Sequence, residues 1–257
     1  MVIPKVVLFL LLAAGHMVAS AAAVATEAPS QLFHIATEYS PPSSMVEAGR
    51  VVGIATDKVR EAMRRADLHY TLDVLPWKRA YSVALTRPNG CVYSTTRTPE
   101  REHLFKWVGP TDEGEWVFLG RAGRRFNVQS LEDARKLRIG TYNGDARDSY
   151  LRARGFRVDP APSDMNNAKK LLLDRIDLWA VSMRRDSPML ANNGWAGRIV
   201  PVFTFNHVKL YLACNRAVPD AAISKLNAAF SAMQRDGTLR RLDSKYDNWT
   251  EGQPVAQ

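Results

Sequence analysis

The feature that most constrains this chain is an alternation, carried out twice, of short apolar runs with stretches whose apolar residues recur every three or four positions. Phe33–Thr37 reads as a strand. From Thr56 the apolar residues Val59, Ala62, Met63 and Ala66 share one helix face, with Lys58, Arg60, Glu61, Arg64 and Arg65 outside it. Tyr70–Leu75 alternates like a strand, Trp77–Leu85 reads as a helix ending near Pro88-Asn89-Gly90, and Cys91–Ser94 is a short strand. This β-α-β-α-β order predicts a parallel sheet covered by helices. The alternation then resumes. Glu115–Gly120, Arg138–Tyr142, Phe156–Val158 and Ile176–Val181 read as strands, with helices over Ser130–Lys136, Asp148–Arg154 and Met165–Arg175 between them. Val208–Cys214 is a further strand. Pro219–Arg235 is the clearest helix, with Ala222, Ile223, Leu226, Phe230 and Met233 on one face, and Leu239–Tyr246 continues as a final helix. Two α/β halves are expected, with the last strand and helices returning to the first half.

Composition narrows the function classes. The chain has 257 residues with 2 cysteines and 5 histidines. No Cys/His spacing suits zinc, and no Gly-x-Ser-x-Gly element, phosphate loop, dinucleotide fingerprint or calcium loop is present, so no catalytic residue, metal or cofactor is expected. A cysteine nucleophile would require Cys91 to be unpaired and in a cleft. Lys and Arg number 35 against 26 Asp and Glu, a net charge of +9, but the basic residues are spread along the chain and interleaved with acids. That pattern describes a solvated basic surface, not a nucleic-acid partner, and favours the approach of acidic ligands. Residues 1–25 read as a signal peptide: Lys5 is the only charge before Glu27, Val6–Ala14 is almost wholly apolar, and an Ala-x-Ala run offers cleavage after Ala21 or Ala23. Export would put Cys91 and Cys214 where a disulfide is permitted.

Several local motifs, in order, resemble one family. They are Thr37-Glu-Tyr-Ser-Pro-Pro42, Gly53-Ile-Ala-Thr-Asp57, Tyr93-Ser-Thr-Thr-Arg-Thr-Pro-Glu-Arg-Glu102 with Phe105-Lys-Trp-Val-Gly-Pro110, Arg138-Ile-Gly-Thr-Tyr-Asn-Gly144, and Gln234-Arg-Asp-Gly237 with Lys245-Tyr246. Over residues 31–249 the chain resembles the family 3 extracellular solute-binding proteins, periplasmic receptors for polar amino acids and related solutes. The resemblance implies a two-lobed α/β fold of the type II periplasmic-binding kind, with the ligand cleft between the lobes. Lobe 1 would take residues 31–113 and 207–257, and lobe 2 residues 114–206. It also makes the strands of Cys91 and Cys214 neighbours, hence a disulfide a fair hypothesis.

The resemblance implies a set of ligand-binding residues. Thr98 can cap a helix that begins at Pro99, which puts Arg101 in its first turn. Family members use the Arg here to clamp a ligand carboxylate, chemistry suited to a forked guanidinium; otherwise Arg101 is a surface residue paired with Glu100 or Glu102. Arg97 adds charge to the cleft or faces solvent. Thr96, ahead of Ser94, supplies a hydroxyl or an amide. Tyr39 is an aromatic wall against the ligand or a core residue, and Trp77 lines the crevice or lids the core. Gly144 and Asp145 lie between strand and helix, where backbone amides can meet an anion; Asp145 can also accept from a cation or cap the helix. Ser182 stands where amino-acid binders carry the acid that holds the ligand ammonium. That departure puts a standard α-amino acid in question and leaves Asp145 or Glu38 as substitutes.

The resulting expectation is a monomeric periplasmic protein that captures a small anionic or zwitterionic solute, an amino acid or related carboxylate, by lobe closure and delivers it to the permease of an ABC importer. The alternatives are a ligand-sensing partner of a membrane receptor and a catalytic relative of the same fold.

Overall fold

A computed structural model describes Met1 and residues 32–184, 187–247, 249 and 250. The signal peptide expected over residues 1–25 lies outside the described residues apart from Met1. The elements, in chain order, are β1 (Phe33–Thr37), β2 (Met45–Glu47), β3 (Arg50–Val52), α1 (Ile54–Arg65), β4 (Tyr70–Val74), α2 (Trp77–Thr86), β5 (Gly90–Thr96) and β6 (Lys106–Arg121). They continue with β7 (Ile139–Tyr142), α3 (Ala146–Ala153), β8 (Val158–Ala161), α4 (Asn166–Leu172), β9 (Leu178–Met183), α5 (Met189–Asn192), β10 (Ile199–Cys214), α6 (Asp220–Arg235) and α7 (Thr238–Ser244).

Among the described residues the large sheet has eight strands in the order β4-β1-β5-β10-β6-β9-β7-β8. β1 runs parallel to β4 and β5, and β7 runs parallel to β8 and β9. These parallel sets are the two halves expected from the β-α alternation. Between them lie β6 and β10, each 16 residues long and antiparallel to each other from Ile199↔Arg121 to Cys214↔Lys106. The fold is thus a two-lobed α/β architecture. Both long strands exceed the runs expected from sequence, 115–120 and 208–214. Gly109, Pro110 and Pro201 sit inside them and read locally as breakers. The register shifts beside Pro201 absorb the missing donor there.

Strand periodicity decides which helix covers which face. Phe33, Ile35, Tyr93 and Leu212 point into a core with Val59 and Met63 of α1 and Leu226, Phe230 and Met233 of α6. Their neighbours Ala36, Val92 and Ala213 point the other way, against Trp77, Ala80 and Ala84 of α2. The pattern repeats beyond the long strands: Val117, Leu119, Trp179 and Val181 face α4, while Phe118, Leu178 and Ala180 face Leu151 of α3.

The disulfide left open by the residues alone is present. Cys91 on β5 and Cys214 on β10 are direct register partners with Cα atoms 4.0 Å apart, and the bond lies inside the α1–α6 core. It closes a loop spanning 123 residues. A cross-link over so long a loop restricts the unfolded chain by about 5 kcal/mol in the chain-entropy picture. Replacing both cysteines by Ala should therefore lower the unfolding free energy by about 2–4 kcal/mol in urea titrations, and the oxidised protein should show no titratable thiol at these positions.

Candidate functional site

In open α/β sheets ligands bind beyond the carboxyl ends of parallel strands. Here both parallel sets turn those ends toward one cleft of about 990 Å³. From β1, β4 and β5 come Thr37–Ser43, Val74–Pro76, Ser94 and Thr96; from β7, β8 and β9 come Tyr142, Pro162–Met165 and Val181–Arg184.

The loop carrying Glu38 and Tyr39 is held from below. Thr37, Ser44, Thr56 and Tyr93 form a buried hydroxyl cluster in which Tyr93 Oη lies 2.7 Å from Thr56 Oγ1 and 3.0 Å from Ser44 Oγ. The first amides of α1 donate to the loop: Ile54 N to Pro42 O and Ala55 N to Ser43 O, both at 3.0 Å. Gly53 permits this approach. Its φ is +131°, and a Cβ there would meet Ser43 O at 2.4 Å. The Gly53-Ile54-Ala55 segment thus positions the cleft rim by its backbone.

The far wall is built on Arg147. This guanidinium is buried, donating through Nε to Asp145 Oδ1 at 2.6 Å and through Nη1 to Ala180 O at 3.1 Å; Nη1 also lies 3.0 Å from Asp164 Oδ2. Asp145 caps α3, accepting from Arg147 N at 2.8 Å, and Asp164 accepts from Trp179 Nε1 at 2.8 Å. Burial opposes the charge on Asp145, but the adjacent Arg147 prevails and holds its carboxyl below the ordinary range. Glu38, the residue after β1, faces this group. Desolvation, then the charges of Asp145 and Asp164, raise its pKa from 4.5 to about 8, against the pull of Arg147 and a hydrogen bond from Tyr142. Tyr142 Oη in turn accepts from Trp77 N at 3.2 Å. Further along, Arg184 pairs with Asp112 at 2.8 Å and Asp243 at 3.0 Å, and the buried Lys58 meets the same two acids.

Of the residues singled out from sequence, Tyr39, Thr96, Asp145 and Ser182 line the cleft. Tyr39 is 57% exposed, so it is a wall residue and not part of the core. Asp145 both caps α3 and faces the cleft. Trp77, Arg97, Arg101 and Gly144 do not line it. Arg97 pairs with Glu102 and lies over the rings of Trp107 and Tyr211. The segment after Thr98 is a 3₁₀ turn, Pro99–Leu104, and Thr98 makes no side-chain cap. Arg101 is buried, but its guanidinium lies 4.9 Å from the Tyr81 ring and donates to Gly144 O at 3.4 Å, beside a separate opening of about 250 Å³. Trp77 Nε1 donates to the same carbonyl at 3.1 Å. The guanidinium expected as a clamp is thus turned to an aromatic face and a backbone oxygen. Arg147, Asp164 and Tyr142 were not singled out. Only Arg147 left a trace in the sequence: it stands two residues past Asp145, at the start of an amphipathic helix.

The profile of the bacterial extracellular solute-binding proteins, family 3, matches residues 33–248. The chain belongs to that family. A search of curated proteins gives no match. Among solved structures, a histidine kinase sensor domain with similarity to periplasmic binding proteins superposes with a TM-score of 0.77 at 14% identity, over 86% of this chain and 98% of that one. An ancestral arginine-binding protein bound to arginine gives 0.72 at 18%, over 84% and 98%. The substrate binding protein of an amino acid ABC transporter gives 0.70 at 14%, over 85% and 100%. This family 3 chain shares their two-lobed fold.

Two outcomes are expected. Arg147→Met leaves two carboxylates without their partner and should lower the unfolding free energy by about 3–5 kcal/mol; adding Asp145→Asn and Asp164→Asn should recover most of that loss. Because the folded pKa of Glu38 is raised, folding takes up a proton between about 4.5 and 8. Its contribution is full below about pH 4.5 and is lost as pH rises to about 8. Glu38→Gln should lack this decline when urea unfolding of both proteins is compared at pH 5 and pH 8, and equal changes in the two would contradict the assignment.

Proposed function

We propose that the protein is a binding receptor that captures a small solute in the cleft by closing two lobes, residues 31–113 with 207–257 and residues 114–206. The observation that carries this reading is the cleft itself: in a family 3 chain, two parallel strand sets present their carboxyl ends to one space. Both proposed lobe boundaries fall within β6 and β10, so closure would bend these strands while leaving each lobe's core intact. The protein acts as an exported monomer after loss of residues 1–25, in the periplasm, and hands its solute to the permease of an ABC importer. The likeness to an ABC substrate binding protein supports that route. Delivery to a membrane sensor is the second reading, favoured by the higher TM-score of the sensor domain. Binding without catalysis suits the cleft, because Asp145 and Asp164 are committed to Arg147.

Contacts between the proposed lobes occur both in the cleft, where Arg184 pairs with Asp243, and beside it. Trp77 and Arg101 meet Gly144 on one side of it, so the donors expected to hold ligand instead hold one lobe to the other. A ligand favours closure by as much as it prefers the closed state. A solute at about 100 times its dissociation constant adds about 2.7 kcal/mol and raises Tm by several degrees, and a thermal-shift screen of amino acids, amines and carboxylates measures this. Trp77→Phe loses the bond to Gly144 O and should weaken binding about 3–10-fold, the equivalent of one hydrogen bond, although Trp77 does not touch the cleft. Unchanged affinity would remove Trp77 from the closing contact.

A further inference from the structure

The ligand class follows from an imbalance in the cleft, given the reading of that cleft as a solute site. Among the described residues, six acidic side chains line it (Glu38, Glu113, Asp145, Asp164, Asp243 and Asp247) against two basic ones, Arg147 and Arg184. The chain as a whole carries +9, so the cleft opposes the sign of its surroundings. Both cations are already engaged. Arg147 has Nε and Nη1 bonded to Asp145, Asp164 and Ala180 O, and Arg184 bridges Asp112 and Asp243. Arg101 lies outside, against Tyr81 and Gly144. A carboxylate entering beside Glu38 would add a fourth acid to three that share one guanidinium.

We propose that the cleft takes the cationic head, a primary ammonium or a guanidinium, of a small organic solute, seated between Glu38 on one side and Asp145 and Asp164 on the other. Arg147 then orients the two aspartates and does not hold the ligand. Met165, Met183 and Met189 opposite Tyr39, Pro42 and Leu75 leave apolar room for the rest of the solute. Methionine side chains adapt to irregular apolar shapes.

The proton balance is explicit. The groups facing Glu38 are Tyr142, Asp145, Arg147 and Asp164, with Glu113, Arg184, Asp243 and Asp247 elsewhere along the cleft. With its pKa at about 8, Glu38 is protonated in the ligand-free cleft at pH 7. The head group favours the carboxylate, so binding ionises Glu38 and releases one proton to solvent while the solute keeps its own. Cation affinity therefore rises roughly tenfold per pH unit below about 8 and levels off above it. An anionic solute would show the opposite slope.

The test is calorimetric titration of the full protein at pH 6, 7 and 8, each in two buffers of different ionisation enthalpy. The probes are agmatine, putrescine, phenethylamine and L-arginine against succinate and glutarate. The expected result is that at least one amine or guanidine binds, that it releases a proton at pH 7, and that Glu38→Gln weakens it tenfold or more and abolishes the release. Circular dichroism confirms that the variant is folded, and proton release by the unaltered protein is a readout that needs no variant. Binding of the dicarboxylates alone, or of an amine without proton release and equally well by Glu38→Gln, would overturn the inference and leave the solute-receptor reading standing. If none of these probes nor any solute of the broader thermal-shift screen binds, the receptor reading falls as well.

Discussion

β6 and β10 run side by side for most of their length at the middle of the sheet, and the rest of the architecture is arranged about that pairing. β10 reaches β5 through residues 210–214 on one side, and β6 reaches β9 through residues 115–120 on the other. Backbone hydrogen bonding thus carries the sheet from one α/β half to the other without a tight turn. The cleft lies where the two parallel sets end against this pair. The disulfide ties the last residue of β10 to β5, inside the core packed by α1 and α6.

Around the cleft, polar groups are arranged in two different ways. On the β1 side, neutral hydroxyls and backbone carbonyls hold the loop, and the geometry is set by close approach at Gly53. On the α3 side, an ion pair network does the same work: Arg147 gathers Asp145 from the cap of α3 and Asp164 from the segment before α4. Buried charges persist where hydrogen bonds satisfy them, and Ala180 O and Trp179 Nε1 supply two of those bonds. Among the described residues Glu38 has no such pairing of its own, and desolvation with the charges of Asp145 and Asp164 raises its pKa. The cleft's electrostatic character arises from this mismatch between one guanidinium and three carboxyls.

Much of the secondary structure was legible because periodicity reports which face is buried. The stripe Val59, Ala62, Met63 and the stripe Leu226, Phe230, Met233 both lie in one core, as their spacing implied. The long strands were only half legible, since Gly109, Pro110 and Pro201 imitate turns and the bulges that accommodate Pro201 depend on the partner strand. Tyr39 and Asp145 line the cleft because each follows a strand end, a local property that the sequence displays. Arg101 was misjudged because its direction depends on Tyr81 and on Gly144, 43 residues away in sequence. Arg147 and Asp164 escaped notice for the same reason: an arginine is an ordinary helix residue until the fold surrounds it.

The sequence by itself determined the alternation of strands and helices, the two α/β halves, the family to which the chain belongs and the strand ends at which a cleft can form. These follow from spacing along the chain, which hydrophobic burial reads directly. Only the tertiary structure decided which charges face that cleft and which are neutralised before a ligand arrives. Coulombic and hydrogen-bond partners are selected by distance in space and by exclusion of water. The grouping of Glu38, Tyr142, Asp145, Arg147 and Asp164 from separate parts of the chain has no counterpart in any local pattern.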